Sequence, residues 1–357
     1  MNKIKVLVVD DSAFMRKVIG DIINSEPDLE VVDKARNGNE AISKIKELNP
    51  DVVTLDVEMP ELDGISALER IMRGHPVPVI MLSSLTKSGA DLTLKALQLG
   101  AVDFVTKPSG QISLDINKIR DDIVRKIKIA AGTKRNLAKL NNIVQIKEKT
   151  ILKSINKETL PDKNLNNLVV IGTSTGGPKA LHQVIPKLPG NFDAGVLVVQ
   201  HMPPGFTKSL AERLDSVSEL KVKEAEDGEK IIPGCVYIAP GDHHLCVKAH
   251  NTGNYRELFI ISDKSIPPRG GLRPAVDVTL ESVAENYWGK IIVVIMTGMG
   301  HDGAAGLSYV KEKGAKVIAE HESTCIVYGM PKAAIETGKV DKIAPLYEIS
   351  DEIVKML

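Results

Sequence analysis

Short apolar runs of strand length alternate with amphipathic helical stretches, and this alternation restricts the fold more than any other feature of the sequence. In the first part of the chain five such runs, separated by helical patterns, occupy residues 5–9, 30–35, 51–55, 77–82 and 101–105. Strands that alternate with helices form a parallel sheet with helices on both faces. The alternation therefore predicts a doubly wound, five-stranded α/β domain over residues 1–129.

The same pattern returns later in the chain, where β-branched apolar runs occupy residues 168–171, 195–200 and 290–296. These runs predict a second doubly wound α/β domain over residues 166–357. Residues 130–165 differ, because they are rich in lysine and asparagine and carry only an intermittent apolar stripe. We interpret this stretch as a solvated, partly helical linker between the two domains.

Composition argues against several classes of protein. The 46 lysine and arginine residues balance 46 aspartate and glutamate residues, which leaves no broad basic footprint for nucleic acid. The three cysteines are unclustered, as expected of reduced cytoplasmic thiols rather than disulfides or zinc ligands. The first residues lack a signal-peptide pattern, and no apolar run is long enough to span a membrane. We expect a cytoplasmic protein that neither inserts into membranes nor binds nucleic acid.

Polar residues follow the apolar runs of the first domain, namely Asp10, Asp11, Asp56, Ser83 and Lys107. The carboxyl ends of parallel strands meet at one edge of a sheet, where ligands bind. Three carboxylates gathered there repel one another unless a hard cation such as Mg²⁺ neutralises them. With the metal bound, Asp56 could accept a phosphoryl group whose oxygens Lys107 and Ser83 would contact.

Four motifs around these residues carry a resemblance. Val-Val-Asp-Asp-Ser (8–12), Leu-Asp-Val-Glu-Met-Pro (55–60), Met-Leu-Ser-Ser (81–84) and Phe-Val-Thr-Lys-Pro (104–108) resemble a two-component receiver domain. By position, the resemblance implies a phosphoacceptor (Asp56), a magnesium site (Asp10, Asp11, Asp56 and the Glu58 carbonyl) and a set that responds to phosphorylation (Ser83, Phe104 and Lys107).

The stretch 168–178 reads as a buried strand, a glycine-rich corner and a helix that Pro178 opens. Its Gly-x-Ser-x-Gly string at 172–176 is one that exposes a serine nucleophile in hydrolases, which makes Ser174 a candidate. The string equally suits a glycine-rich turn that packs or cradles phosphate. On its own it leaves both interpretations open.

Two other apolar runs end in loops that carry the partners a serine nucleophile needs. Residues 195–200 lead to His201, and residues 290–296 lead to Asp302. If the three strands are parallel, Ser174, His201 and Asp302 lie at one edge of one sheet. His201 would then accept the serine proton, and Asp302 would orient the imidazole.

The surrounding loops add candidates and competitors. The backbone N–H groups of Thr175 and Met299 are candidates for an oxyanion hole. His301 adjoins the candidate acid and competes for the role of base, whereas the pair His243–His244 lacks the spacing of a metal site. The chain order Ser-His-Asp differs from the Ser-Asp-His order of α/β-hydrolases, which argues against an ordinary esterase or lipase fold.

Five stretches of the second domain carry a second resemblance. They are Ile-Gly-Thr-Ser-Thr-Gly-Gly-Pro (171–178), Val-Gln-His-Met (199–202), Tyr-Ile-Ala-Pro-Gly-Asp-His-His-Leu (237–245), Arg-Pro-Ala-Val-Asp-Val (273–278) and Thr-Gly-Met-Gly-His-Asp-Gly-Ala (297–304). With a receiver domain and a linker ahead of them, they resemble the CheB family of chemotaxis-receptor methylesterases. Residues 265–272 depart from the histidine-rich version of the family, and sequence alone does not reveal the role of residues 273–277.

This resemblance implies hydrolysis of glutamyl methyl esters on chemotaxis receptors, with release of methanol, and deamidation of receptor glutamines. Ser174, His201 and Asp302 would form the triad, and hydrolysis would need no cofactor. The resemblance further implies methyl-accepting chemotaxis receptors as substrates, a chemotaxis histidine kinase as phosphodonor and Mg²⁺ in the receiver domain. Phosphorylation of Asp56 would then relieve an obstruction of the catalytic face.

Two rival classes explain the sequence less well. A DNA-binding response regulator is disfavoured, because the second domain alternates strand and helix and lacks a compact helix-turn-helix pattern. A nucleotide-binding module would account for the glycines, but not for a histidine and an aspartate at matching strand ends. Release of methanol would distinguish the esterase from both.

Overall fold

In the computed structural model, residues 3–107, 112–143, 164–252 and 255–357 are described, with backbone alone at 112–118, 135–143, 251–252 and 255–256. The chain divides into two compact units, Met1–Glu148 and Lys149–Leu357. Each unit is built around a parallel sheet of its own.

The first unit is a five-stranded sheet with helices between successive strands. Its strands are β1 (Ile4–Val9), β2 (Leu29–Ala35), β3 (Val52–Asp56), β4 (Val79–Ser83) and β5 (Asp103–Thr106), and its helices are α1 (Ala13–Asn24), α2 (Gly38–Leu48), α3 (Gly64–Gly74), α4 (Lys87–Leu99) and α5 (Ile112–Ile143). The strand order β2-β1-β3-β4-β5, with every pairing parallel, confirms the predicted doubly wound fold. The order reverses between β1 and β3, and such a reversal opens a crevice at the carboxyl ends of the two strands.

The first four helices begin at side chains that cap them. Ser12, Asn37, Asp63 and Thr86 each accept a hydrogen bond from the backbone N–H three residues later. These caps satisfy donors that a helix leaves unpaired at its start. The caps therefore fix where the chain turns from each strand end into the next helix.

Helix α5 continues further than the sequence pattern predicts. The pattern predicts a helix over 115–129, whereas α5 extends to Ile143, within the stretch interpreted as a linker. Lys134 Nζ on this extension contacts Asp51 Oδ1 at 2.8 Å, which ties the extra turns to the first unit. The rest of the expected linker, residues 144–163, lies outside the described residues, and the boundaries at 129 and 166 stay predictions.

The second unit is a seven-stranded parallel sheet flanked by helices. The seven strands of this sheet are β6 (Asn167–Thr173), β7 (Gly195–Gln200), β8 (Lys221–Glu224), β9 (Cys235–Ile238), β12 (Lys290–Ile295), β13 (Lys316–Glu320) and β14 (Lys342–Ala344), and two more strands, β10 (His244–Thr252) and β11 (Tyr255–Asp263), lie outside it. Its helices are α6 (Gly177–Val184), α7 (Phe206–Val217), α8 (Val276–Asn286), α9 (Leu307–Glu312), α10 (Met330–Glu336) and α11 (Ile349–Met356). The order β14-β13-β12-β6-β7-β9-β8 confirms the predicted α/β class.

The three strands that precede the candidate triad lie side by side at the centre of this sheet. β6 pairs in parallel with β7 on one side and with β12 on the other. Apart from Asn167 and Lys290 at their starts, all residues of the three strands are buried, as their continuous apolar sequences indicate. Thr173 is level with Gln200, and Gly172 is level with Ile295, so the three strands end at one edge, as expected.

β10 and β11 form a separate antiparallel hairpin that the sequence pattern did not indicate. Leu245, Val247, Leu258 and Ile260 of the hairpin are buried in the core of the unit. The Val247 N–H donates to Ser282 Oγ on α8 at 2.8 Å, which docks the hairpin on that helix. The hairpin therefore holds α8 from one side, while the first turn of α8 reaches the candidate site.

Candidate active site

Ser174 lies on a tight corner between β6 and α6. The corner closes with a hydrogen bond from the Gly177 N–H to the Ser174 carbonyl at 2.8 Å, and Gly176 adopts a φ of 82° that favours glycine. A Cβ added to Gly177 would lie 2.0 Å from Gln200 Oε1, so no larger residue fits there. The glycines of the Gly-x-Ser-x-Gly-Gly string thus serve the geometry of this corner.

Thr297, at the carboxyl end of β12, holds this corner from the neighbouring strand. Its carbonyl accepts hydrogen bonds from the Ser174 N–H at 3.0 Å and from Thr173 Oγ1 at 2.9 Å. Its hydroxyl donates to the Thr175 carbonyl at 3.0 Å. The sequence pattern did not single out Thr297, because its partners lie more than a hundred residues away in the chain.

Gln200 joins the candidate nucleophile to the candidate base. Its side-chain amide donates to the Ser174 carbonyl at 3.0 Å and to the His201 carbonyl at 3.2 Å. The His201 N–H in turn donates to the Thr173 carbonyl at 3.2 Å. Ser174 and His201 are therefore neighbours at the ends of two paired strands.

His201 contacts Asp302, the third predicted residue, directly. His201 Nε2 and Asp302 Oδ2 are 2.8 Å apart, and both side chains are over nine-tenths buried. This pairing leaves Nδ1 as the ring nitrogen available to a serine hydroxyl. The structure therefore brings the three strand ends together, with the His201 ring oriented by Asp302.

The N-terminus of α8 supports Asp302. Asp302 Oδ2 accepts the Val276 N–H at 2.7 Å, and Oδ1 accepts the Asp277 N–H at 3.0 Å. Burial alone would raise the pKa of Asp302, but the hydrogen bonds from His201 and from these two N–H groups outweigh it and hold the pKa below its ordinary value. Asp302 is therefore an anion at neutral pH.

These contacts supply a role for residues 273–277, which sequence alone could not give. Arg273 binds Asp242 Oδ1 through its Nε at 3.0 Å and through a terminal nitrogen at 2.6 Å. Lys264 and Arg273 together lower the pKa of Asp242 to about 2. The segment is thereby held in the position that directs the first N–H groups of α8 at Asp302.

The two residues predicted to form an oxyanion hole lie beside Ser174. Thr175 is buried and follows Ser174 directly. Met299 follows Gly298, where an added Cβ would lie 2.9 Å from Ser174 Cβ, so the loop after β12 passes close to the corner. Met299 itself has 37% of its surface exposed. The use of both N–H groups for an oxyanion stays a prediction.

The competing histidines lie in other environments. His301 is exposed on the loop after β12. His244 Nε2 lies 3.2 Å from the Pro267 carbonyl, and His243 Nδ1 lies 3.2 Å from the Gly241 carbonyl, so the pair serves loop packing. His182, on α6, is largely buried, and burial lowers its pKa to about 4. Among the histidines of the described residues, His201 is the one whose ring pairs with a carboxylate.

The first unit gathers a different set of groups at the crevice between β1 and β3. Carboxylate oxygens of Asp10, Asp11 and Asp56 lie within 4.8 Å of one another. Asp10 and Asp56 are buried, whereas Asp11 is exposed. The Glu58 N–H donates to Asp56 Oδ1 at 3.4 Å, which brings the loop after β3 to the same place. Clustered hard oxygens of this kind fit Mg²⁺.

Lys107 provides the positive charge among these acids. Its Nζ is 2.8 Å from Asp10 Oδ2 and 2.6 Å from Asp56 Oδ2. Burial opposes the cation, yet the two carboxylates outweigh it and raise the pKa of Lys107. Burial also raises the pKa of Asp56 to about 6, despite the opposing effect of Lys107.

The two residues predicted to respond to phosphorylation flank this acidic site. Ser83 ends β4, and its hydroxyl donates to the Gly89 carbonyl at 3.1 Å. Phe104 is buried on β5, with Lys126 Nζ of α5 located 5.2 Å from its ring centroid. The structure thus brings the predicted acids and Lys107 into contact and places Ser83 and Phe104 on the next strands of the same sheet.

Comparison with known proteins matches both units. The sequence model described as CheB methylesterase matches residues 169–353, and the one described as response regulator receiver domain matches residues 6–117. The protein-glutamate methylesterase/protein-glutamine glutaminase 1 of Syntrophomonas wolfei is 61% identical over 359 residues and covers 100% of both chains. The corresponding Archaeoglobus fulgidus protein is 48% identical over 353 residues, which cover 99% of this chain and 98% of that protein.

A solved structure resembles the second unit. The crystal structure of the Thermotoga maritima CheB methylesterase catalytic domain is 56% identical, with a TM-score of 0.51, and covers 53% of this chain and 98% of its own. The chain belongs to the CheB methylesterase family of carboxylic ester hydrolases and carries a receiver domain ahead of the esterase domain.

Proposed function

We propose that this enzyme hydrolyses glutamyl methyl esters on chemotaxis receptors, with release of methanol, and deamidates receptor glutamines by the same route. The observation that carries this proposal is the buried His201–Asp302 pair, 2.8 Å apart, at the strand end next to Ser174. A serine becomes a useful nucleophile when a base within reach is itself oriented by an acid.

The first half of the reaction forms a covalent ester. Ser174 Oγ attacks the γ-carbonyl carbon of the glutamyl ester, and its proton passes to Nδ1 of His201, because Nε2 is bound to Asp302. The oxyanion that develops is stabilised by the N–H groups of Thr175 and Met299. The intermediate then collapses as the methoxy group takes the proton from His201 and leaves as methanol.

The second half restores the enzyme. Water gives a proton to His201 as its oxygen attacks the acyl carbon, and Ser174 then leaves with that proton. The γ-carboxylic acid of glutamate is released and loses its own proton to solvent. A glutamine substrate follows the same steps, with ammonia in place of methanol. Asp302 stays ionised throughout, because three hydrogen bonds lower its pKa, and it stabilises the imidazolium in both halves.

The receiver domain supplies the regulation. We propose that a chemotaxis histidine kinase phosphorylates Asp56 and that the unphosphorylated receiver restrains the esterase. Asp10, Asp11 and Asp56, with the Glu58 carbonyl, would hold Mg²⁺, which neutralises charge around an incoming phosphoryl group. Lys107 would contact the phosphoryl oxygens, Ser83 would hydrogen-bond one of them, and Phe104 would repack.

Methyl-accepting chemotaxis receptors are the proposed substrates, and the enzyme would reach them from the cytoplasm. In the described part of the chain, the helices are too short or too polar to cross a membrane. The neutral balance of charged residues also supports a protein partner rather than nucleic acid.

Incubation with radiomethylated receptor membranes tests the hydrolysis. We expect the unaltered chain to release labelled methanol and Ser174→Ala to lose about 10⁵-fold or more in turnover, as serine hydrolases do without their nucleophile. His301→Gln is the matched control, because it changes an exposed histidine of the loop after β12, and it should keep most activity. Turnover by Ser174→Ala at the rate of the unaltered chain would refute the assignment.

Two further proteins test the regulation. A fragment that begins near Leu165 should release methanol faster than the unphosphorylated full chain, because it lacks the receiver. Asp56→Ala in the full chain should not respond to a small phosphodonor with Mg²⁺. A fragment no faster than the resting chain would refute this restraint, and the receiver would then act by activating the site directly or by recruiting the receptor.

A further inference from the structure

A buried carboxylate that the proposed reaction does not use lies beside the Ser174 corner. Glu320 ends β13, the strand next to β12, and its side chain is fully buried. Its Oε2 accepts the Thr297 N–H at 2.8 Å, and its Oε1 accepts the Thr324 hydroxyl at 3.0 Å. In the part of the chain that the structure describes, no basic side chain pairs with it.

Thr297 connects this carboxylate to the nucleophile. Its N–H is bound to Glu320, its carbonyl accepts the Ser174 N–H at 3.0 Å, and its hydroxyl donates to the Thr175 carbonyl at 3.0 Å. The residue that holds Ser174 in place is thus itself held by Glu320. A shift of Thr297 would move both the nucleophile and the peptide unit that follows it.

Packing alone does not account for a carboxylate at this position. An acid without a basic partner is unfavourable in a core, where an apolar side chain of the same volume would pack as well. Glu320 can accept the Thr297 N–H whether it is ionised or protonated, because the Thr324 hydroxyl can either donate to Glu320 or accept from it. The hydroxyl donates to the carboxylate, or accepts from the carboxylic acid while it donates to the His321 carbonyl at 3.2 Å.

We propose that Glu320 is a positioning residue for hydrolysis, which holds Thr297 and through it the Ser174 corner. The proposal rests on the proposed function, in which Ser174 is the nucleophile. It assigns to Glu320 no contact with the substrate and no proton in the reaction.

Three variants of the full chain test this role. Glu320→Met keeps the length of the side chain and removes both acceptor oxygens. Glu320→Gln keeps one oxygen that accepts the Thr297 N–H, and its amide N–H can donate to the Thr324 hydroxyl oxygen. Thr324→Val keeps the volume of the side chain, removes the hydroxyl that donates to Glu320 and accepts the Leu346 N–H, and leaves the contact of Glu320 with Thr297 in place, so it controls for a loss of buried hydrogen bonds near Glu320.

Two measurements separate positioning from receptor recognition. Methanol release from methylated receptors gives kcat and KM, and the rate at which a fluorophosphonate labels Ser174 reports reactivity without any receptor. We expect Glu320→Met to lower kcat and the labelling rate about tenfold or more while KM changes less than about twofold. Glu320→Gln and Thr324→Val should stay within about threefold of the unaltered chain in both rates.

Several outcomes would overturn the proposal. They are unchanged rates in Glu320→Met, equal losses in the Met and Gln variants, and a loss in Thr324→Val as large as that in Glu320→Met. If Glu320→Met does not fold by circular dichroism, Glu320→Leu decides, since it also removes both acceptor oxygens from the Thr297 N–H and the Thr324 hydroxyl, and unchanged kcat in that variant would refute the relay. Failure of the proposed function would give a different result from failure of the positioning role. In that case the unaltered chain would be labelled at Ser174 and would release no methanol.

Discussion

The two sheet edges of this chain carry opposite kinds of electrostatics. At the edge of the second unit, Asp302 accepts hydrogen bonds from His201 and from the N-terminus of α8, and its pKa is lowered. At the edge of the first unit, burial raises the pKa of Asp56 to about 6, and the neighbouring Asp10 carboxylate adds to this shift although Lys107 opposes it. The hydrogen bonds around Asp302 outweigh the effect of its burial on the pKa, whereas the contacts around Asp56 do not.

This difference corresponds to two kinds of work. A triad must be ready before the substrate arrives, so its acid and base are already paired and its charge is satisfied within the fold. A phosphorylation switch must respond to something added, and residual repulsion among acids is what a bound cation relieves. The carboxyl edge of a parallel sheet can thus serve either purpose. Which one it serves depends on whether the groups that meet there carry opposite charges or like charges.

Asp302→Asn tests the supported side of the comparison, with the largest effect. An amide cannot accept hydrogen bonds from three donors, so the imidazole loses its orientation and the first turn of α8 loses a partner. We expect kcat for methanol release to fall about 10⁴-fold. We also expect the second unit to lose about 2 kcal/mol of stability toward urea at pH 8, because buried donors become unsatisfied. A normal urea midpoint would show that the helix does not depend on Asp302.

Lys107→Met tests the acidic side, with the next largest effect. The substitution leaves Asp10 and Asp56 facing each other without their cation, and breaking a buried pair of this kind costs about 3 kcal/mol. Urea unfolding of the first unit, followed at pH 8, should show this loss, and added Mg²⁺ should restore part of it. Lys128→Met, which removes exposed ion pairs with Glu26 and Asp28, should change stability by less than about 1 kcal/mol.

Asp56→Asn gives the smallest effect. It should raise the free energy of unfolding, whereas Asp302→Asn should lower it. Because the pKa of Asp56 is raised from 3.8 to about 6, its contribution to stability is present below pH 3.8 and is lost as the pH rises through about 6. The neutral amide avoids that loss. We expect Asp56→Asn to be more stable than the unaltered chain by up to about 2 kcal/mol at pH 8, and nearly equal to it at pH 4. A lower thermal midpoint at pH 8 would contradict the comparison.

Much of this arrangement could be predicted from the sequence. Continuous apolar, β-branched runs identify central parallel strands, and polar residues at their ends identify the sheet edges, which is how Ser174, His201 and Asp302 were selected. The hairpin β10–β11 was missed because its strands mix polar and apolar residues and one face lies outside the core. The extension of α5 was missed because a few contacts, such as that of Lys134 with Asp51, sustain a helix of low amphipathicity.

The supporting groups could not be predicted for a different reason. Thr297, Gln200 and Glu320 act through hydrogen bonds between strand ends that only the fold brings together, and no periodicity marks such residues. Residues 273–277 form a recognisable motif, but only the position of α8 relative to the loop after β12 gives it a purpose.

The order of strands in the second unit also bears on how the enzyme is made. β6, the first strand of this sheet to be synthesised, lies between β7 and β12, and Asn167 pairs with Lys290 more than a hundred residues later. The centre of the sheet cannot close on the ribosome until β12 has emerged, and such distant pairing slows folding. A nascent chain therefore carries Ser174 long before it carries Thr297 and Asp302, and the corner at Ser174 gains its partner on the loop after β12 only at that later stage.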